Sequence, residues 1–254
     1  MKSSFAIALN TFKETIRDRV LSVIVVFALA MIVASLWLAT ISLEQQARMM
    51  KDFGLTAVTL FGLVVAVFAA GNLVRKELEK RTVFFIFSKP VGPAQFIVGK
   101  FFGLALTVFL VVLGMGVFLF VVTWLVAGDA AGSVLLATLL IYFQVVVVMA
   151  VTVFFSTFAS AILSSVLGVC VFIAGQLSHN VLSLTRLGEG EVLKALSWVV
   201  FIAIPNLAAV DAKPSVVGEG SIAWGQTALW LGYLIAYMIV ALLAASWVFR
   251  RKEF

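Results

Sequence analysis

Residues 130–185 contain no Asp, Glu, Lys or Arg. A charge-free run of that length is far too long for one crossing of a hydrocarbon core about 30 Å thick. The scarcity holds chain-wide: charged residues make up 12% of the 254 residues and apolar ones 63%, against about 45–50% apolar in ordinary soluble domains. So few ionic groups could not cover so much apolar side chain in water, which excludes a soluble fold and makes lipid the solvent for most of the surface. There is a single cysteine, Cys170, inside an apolar run. No disulfide framework is possible, and the redox compartment stays undetermined. One histidine, His179, with Met49 and Met50 offers soft ligands that suit copper but no paired or clustered set, so no metal site is expected. No Ser–His–Asp arrangement has a plausible geometry, and the acidic Asp129, Glu189, Glu191, Asp211 and Glu219 fall in connecting segments. No catalytic residue is expected.

Two further absences bear on energy supply. Gly92 and the Gly99-Lys100 pair resemble a nucleotide-binding loop only superficially: the spacing is wrong and Phe101 replaces the required Ser or Thr. The apolar spans hold no ionisable Asp, Glu, Lys or Arg of the kind that serves as proton or cation site in ion-coupled carriers. Only mild polar groups, Gln144, Gln176, Tyr233 and Tyr237, stand at membrane depth. Energy for any transport must then arrive by contact with another protein.

What is present fits an all-α integral membrane protein: one transmembrane domain over 1–254 with six spans at about 20–41, 55–74, 101–127, 134–155, 159–177 and 227–249. The polar patch from Glu44 to Lys51 separates the first two, and the charge-free run breaks most naturally at residues 156–160. No cleavable leader is expected, because the first apolar run begins only near Val20, is long, and lacks a small-residue exit. With six spans both termini share a side with the second-to-third and fourth-to-fifth connections. That side carries thirteen Lys and Arg against five on the other. The asymmetry places it in the cytoplasm. The net charge of +6 then records topology, and no nucleic-acid partner is implied.

Two segments are apolar without spanning. Phe5, Leu9, Phe12 and Ile16 repeat at helical spacing while Lys2, Lys13, Arg17 and Arg19 take other faces. That pattern predicts an amphipathic helix in the cytoplasmic interface. Residues 192–204, ended by Pro205, are too short to cross and predict a re-entrant or interfacial helix between spans five and six.

The connection at residues 75–100 reads RKELEKRTVFFIFSKPVGPAQFIVGK. Arg75, Lys76, Lys80, Arg81, Lys89 and Lys100 gather there with Glu77 and Glu79. Glu77 and Arg81 stand four apart in a favourable helical order. Residues 83–87 form an apolar patch that needs an interface or a partner to cover it. Ser88, Lys89 and Pro90 break the helix, since Pro90 removes a donor and pushes Lys89 out of helical geometry. Pro93 suits the first turn of the next helix. A basic, partly apolar elbow between two spans can act as a lever; alternatively, its charges only fix the orientation of the hairpin.

The stretches ALNTFKETIRDRVLSVIVVFALA (residues 8–30) and KELEKRTVFFIFSKPVGPAQFIVGKFFGLAL (76–106), with the six-span spacing, resemble the ABC-2 type permeases. The likeness is greatest to the branch that includes the permease for nitrous-oxide reductase maturation. It runs over the whole chain and is strongest in the first 110 residues. It implies a multi-pass protein of a prokaryotic inner (plasma) membrane, an N-terminal elbow helix, and a coupling helix in the second-to-third connection. That helix, with Arg75, Lys76, Glu77, Glu79, Lys80, Arg81, Ser88, Lys89 and Pro90, would dock on a separate cytoplasmic ABC ATPase. ATP and Mg would sit on that subunit and no cofactor on this chain. Two permeases, identical or homologous, would pair with two ATPases, and export is the family tendency.

Ser160, Ser164 and Gly168 recur every four residues in the fifth span, a small-residue face that lets another helix approach within the chain or across a dimer. Gly99 and Gly103 form a shorter version at the start of the third. Gln144 and Gln176 are candidates to line a path, though interhelical hydrogen bonds are their commoner use. Three classes stay open: an ATP-driven permease, an ion-coupled carrier, and a non-transporting scaffold or mechanical transmitter driven by the same ATPase.

Overall fold

The computed structural model describes residues 2–15, 21–38, 43–73, 93–127, 132–185, 204–217 and 224–251. All regular structure among them is helical. In chain order the helices are α1 (Lys2–Thr15), α2 (Leu21–Leu38), α3 (Leu43–Gly71), α4 (Pro93–Ala127), α5 (Ser133–Ser156), α6 (Ala161–Thr185), α7 (Lys213–Val217) and α8 (Trp224–Arg250), with a 3₁₀ turn at Ala208–Val210 before α7. Five of them, α3, α4, α5, α6 and α8, contain stretches long and apolar enough to cross a bilayer. α2, eighteen residues of almost wholly apolar sequence, covers most of the expected first span.

α5 is the axis of the bundle. Sixteen of its 24 residues are buried, against five of 27 in α8, and it touches α3, α4, α6 and α8. Its centre reads Val145-Val146-Val147-Val148, a run of β-branched residues that disfavours helix in water. Among apolar neighbours the backbone has no other partners than its own, so it stays helical and the valines pack on every side.

Helix ends differ from the apolar boundaries in two places. The polar patch from Glu44 to Lys51, expected between the first two spans, is helical: α3 starts at Leu43. Glu, Gln, Arg and Met are good helix formers, so charge ended the apolar run without ending the helix. Likewise α4 begins at Pro93, eight residues before the expected span, with proline in the first turn. The chain turns at residues 157–160, as the break in the charge-free run implies. Of the expected re-entrant helix at 192–204, all but Ile204 lies outside the described residues.

α1 meets the bundle through small residues as well as Ile7. α1 lies along α4, where the Ala8 carbonyl and Thr11 crowd Gly103: a Cβ there would stand 2.5 Å from Ala8 O and 2.7 Å from Thr11 Cβ. Thr11 is buried, whereas Leu9 is 42% exposed. The small face therefore packs on the bundle and part of the apolar face is left outward.

Candidate functional site

The residues expected to form a coupling elbow, Arg75, Lys76, Glu77, Glu79, Lys80, Arg81, Ser88, Lys89 and Pro90, lie outside the described residues. Their two roots do not. The departing root is the end of α3, where a Cβ on Gly71 would meet the Ala161 carbonyl at 2.8 Å and the Ser165 hydroxyl, so α3 and the start of α6 are in near backbone contact. Ser165 sits between them, 3.3 Å from Val67 O and 2.9 Å from Ala161 O. The returning root is the first turns of α4. Phe96 stacks on Phe249 of α8, ring centroids 6.1 Å apart and 17° from parallel, and Phe96, Ile97 and Phe101 are all buried. Lys100 lies with its ammonium 5.3 Å from the Phe96 ring. α1 closes over the same helix at Gly103. Each end of the charged connection is thus fixed to a different helix of the bundle.

Other sequence-singled residues separate into distinct environments. Ser164 and Gly168 are buried, and a Cβ on Gly168 would collide with the Thr152 hydroxyl of α5, with Val67 of α3 at 3.3 Å. Ser160 is exposed at the turn. The small-residue stripe is therefore a three-helix contact inside this chain at Gly168 and is open only at its Ser160 end. Gln176 is half-buried on α6.

Gln144 stands midway along α5, fully buried. Its Nε2 donates to the Leu207 carbonyl at 3.0 Å. Its Oε1 is sealed and has no hydrogen-bond partner. The segment it holds, residues 204–217, folds back into the bundle with Pro205, Asn206, Leu207, Val210, Ala212 and Val216 buried. Leu207 N donates to Gly175 O at 3.2 Å, and Gly175 has room for it because a Cβ there would come 2.6 Å from Pro205 O. Ser178 shares its hydroxyl hydrogen between Gly175 O (2.7 Å) and Asn206 Oδ1 (2.9 Å), and Asn206 Oδ1 also accepts from Ala209 N at 3.2 Å. Irregular backbone beside the middle of a span is tolerated only where protein satisfies it, as here. Sequence reasoning picked out Gln144 and Gln176 by polarity but missed Ser178 and Asn206. Pro205 was the one local signal that regular structure ends there.

Among the described residues no three His, Cys, Asp or Glu side chains gather as a metal site. Long apolar helices, a buried axial helix and a re-folded segment between the last two spans define a multi-pass, all-helical membrane protein. A family model described as ABC-2 family transporter protein matches residues 5–254, nearly the whole chain. The chain belongs to that family and is a membrane component of ABC-type transport. A search of the curated proteins finds no match.

Proposed function

We propose that this chain is the permease subunit of an ATP-driven exporter in a prokaryotic inner membrane, powered by a separate cytoplasmic ABC ATPase that binds ATP and Mg. Family membership supports the transport role. The likeness of residues 8–30 and 76–106 to the nitrous-oxide reductase maturation branch is the sequence ground for a closer relationship. The observation that carries the coupling reading is the anchoring of both roots of the charged connection, one on α3–α6 at Gly71 and one on α4–α8 at Phe96. A push on Arg75, Lys76, Glu77, Glu79, Lys80, Arg81 and the Ser88–Lys89–Pro90 corner would move α4 relative to α3 without being absorbed by loose ends. α1, held on α4 at Gly103 with Leu9 outward, would act as the elbow helix. Both termini would be cytoplasmic. Val25, Val26, Leu29 and Val33 leave α2 with an exposed apolar face on which a second permease copy would pack.

The full tagged chain, recovered from native membranes in mild detergent, should bring with it a protein bearing a nucleotide-binding loop. Recovery of the chain without any such ATPase under conditions that preserve its fold would refute the proposal.

A further inference from the structure

We infer that the stretch 205–210 is a displaceable plug in the bundle, and that the sealed amide oxygen of Gln144 is what keeps it displaceable. The permease reading gives the plug its purpose, but the motion itself stands on geometry alone. The stretch enters beside the middle of α5, and among the described residues it is tied there by Leu207 N to Gly175 O, Gln144 Nε2 to Leu207 O, and the Ser178 hydroxyl to Asn206 Oδ1. Most of its buried surface is apolar and meets apolar helices, with Leu207 fully buried and Val210 2% exposed.

Gln144 acts in two directions. Its Nε2 fixes the register of Leu207, while its Oε1 is closed off from water with nothing to accept from. Sealing an amide acceptor costs more than one neutral hydrogen bond returns. The net effect of the Gln144 side chain is therefore to destabilise the seated plug. Leu207 O does not depend on it, because Val210 N also donates to that oxygen at 3.2 Å. Replacing the amide by an apolar group of equal length removes the unsatisfied oxygen without orphaning its partner, so it should lock the plug. Removing the Ser178 hydroxyl takes away a holding bond and should free it.

The test uses the full chain in lipid nanodiscs, where a charged, membrane-impermeant maleimide reaches both faces. Cys170→Ser removes the native thiol, and Val210→Cys, close in volume, reports the plug. Val153→Cys, fully buried on α5, reports loosening of the bundle. Gln144→Met should slow labelling at position 210 about fivefold or more, and Ser178→Ala should speed it by a similar factor. Labelling at 153 should stay constant in both. Labelling at 210 that is absent throughout, indifferent to both substitutions, faster in Gln144→Met, or matched by changes at 153 overturns the plug. Because the readout needs neither cargo nor ATPase, loss of the transport reading would leave this result standing, and the reverse.

Discussion

Buried hydroxyls in this protein return to their own helices. Thr59, Thr123, Thr138 and Thr152 donate to the carbonyls four residues back at 2.7–2.9 Å, which satisfies each without a tertiary partner. Against that background, the described hydroxyls that reach another element tie the chain across: Ser165 toward Val67 O, Ser178 toward Asn206, and the half-buried Tyr142 toward Ala105 O. Gly168 is a different kind of exception, a missing side chain whose space Thr152 occupies. Gly168→Leu should destabilise the chain by about 1–3 kcal/mol through overpacking, read as a lower midpoint in thermal unfolding in detergent. Ile162→Leu, at a position 76% exposed on the same helix, should leave that midpoint nearly unchanged. The spacing of Ser160, Ser164 and Gly168 was legible in the sequence, but their partner was not, because a small residue records that something approaches and never what.

At the scale of elements, both roots of the charged connection are packed into the bundle. Phe96 and Phe249 are far apart in sequence and had no pattern linking them, since a phenylalanine among twenty-three carries no address. Their stack joins the first turn of α4 to the last of α8. Phe96→Ala and Phe249→Ala should each cost about 3 kcal/mol, and the double variant should cost clearly less than the sum, because the two rings share one contact. Chemical or thermal unfolding of the three variants in one detergent checks this; strict additivity would mean that the rings do not act together. Gly103→Leu should lift α1 from α4, since the Ala8 carbonyl already fills the space of a Cβ. Limited proteolysis should then cut faster within residues 2–15, with the cutting pattern of the rest of the chain unchanged from the native protein. The amphipathic pattern foretold a helix here but not which of its residues meet the bundle. Close backbone approach favours Ala8 and Thr11 over large apolar residues there, leaving Leu9 outward.

For the whole molecule, the lipid-facing surface gives its own measure of membrane fit. Trp224 and Trp247, both more than half exposed, stand at opposite ends of α8, about 35 Å apart along a straight helix. That spacing matches tryptophans at the two edges of a hydrocarbon core about 30 Å thick. Arg251 lies over the Trp247 ring at 3.8 Å, a basic anchor at the same edge. Residues of α8 between them, such as Leu229, Val240 and Leu243, are at least 64% exposed, as a lipid-facing helix requires. The class of protein and most span positions were legible because hydrocarbon thickness sets a length and charge is excluded from it. The course of residues 204–217 was not, because a single proline ends a helix without saying where the chain goes next.

We propose that the chain moves cargo only when a cytosolic ATPase acts on its charged connection. The most direct test of this pairs the ATPase recovered with the native chain with either that chain or the Lys80→Glu, Arg81→Glu double variant in liposomes, and measures assembly and ATP hydrolysis together. The native chain should bind the ATPase and raise its hydrolysis rate, whereas the variant, still folded by its unfolding midpoint, should lose binding or stimulation at least tenfold. A variant that binds and stimulates like the native chain would contradict it.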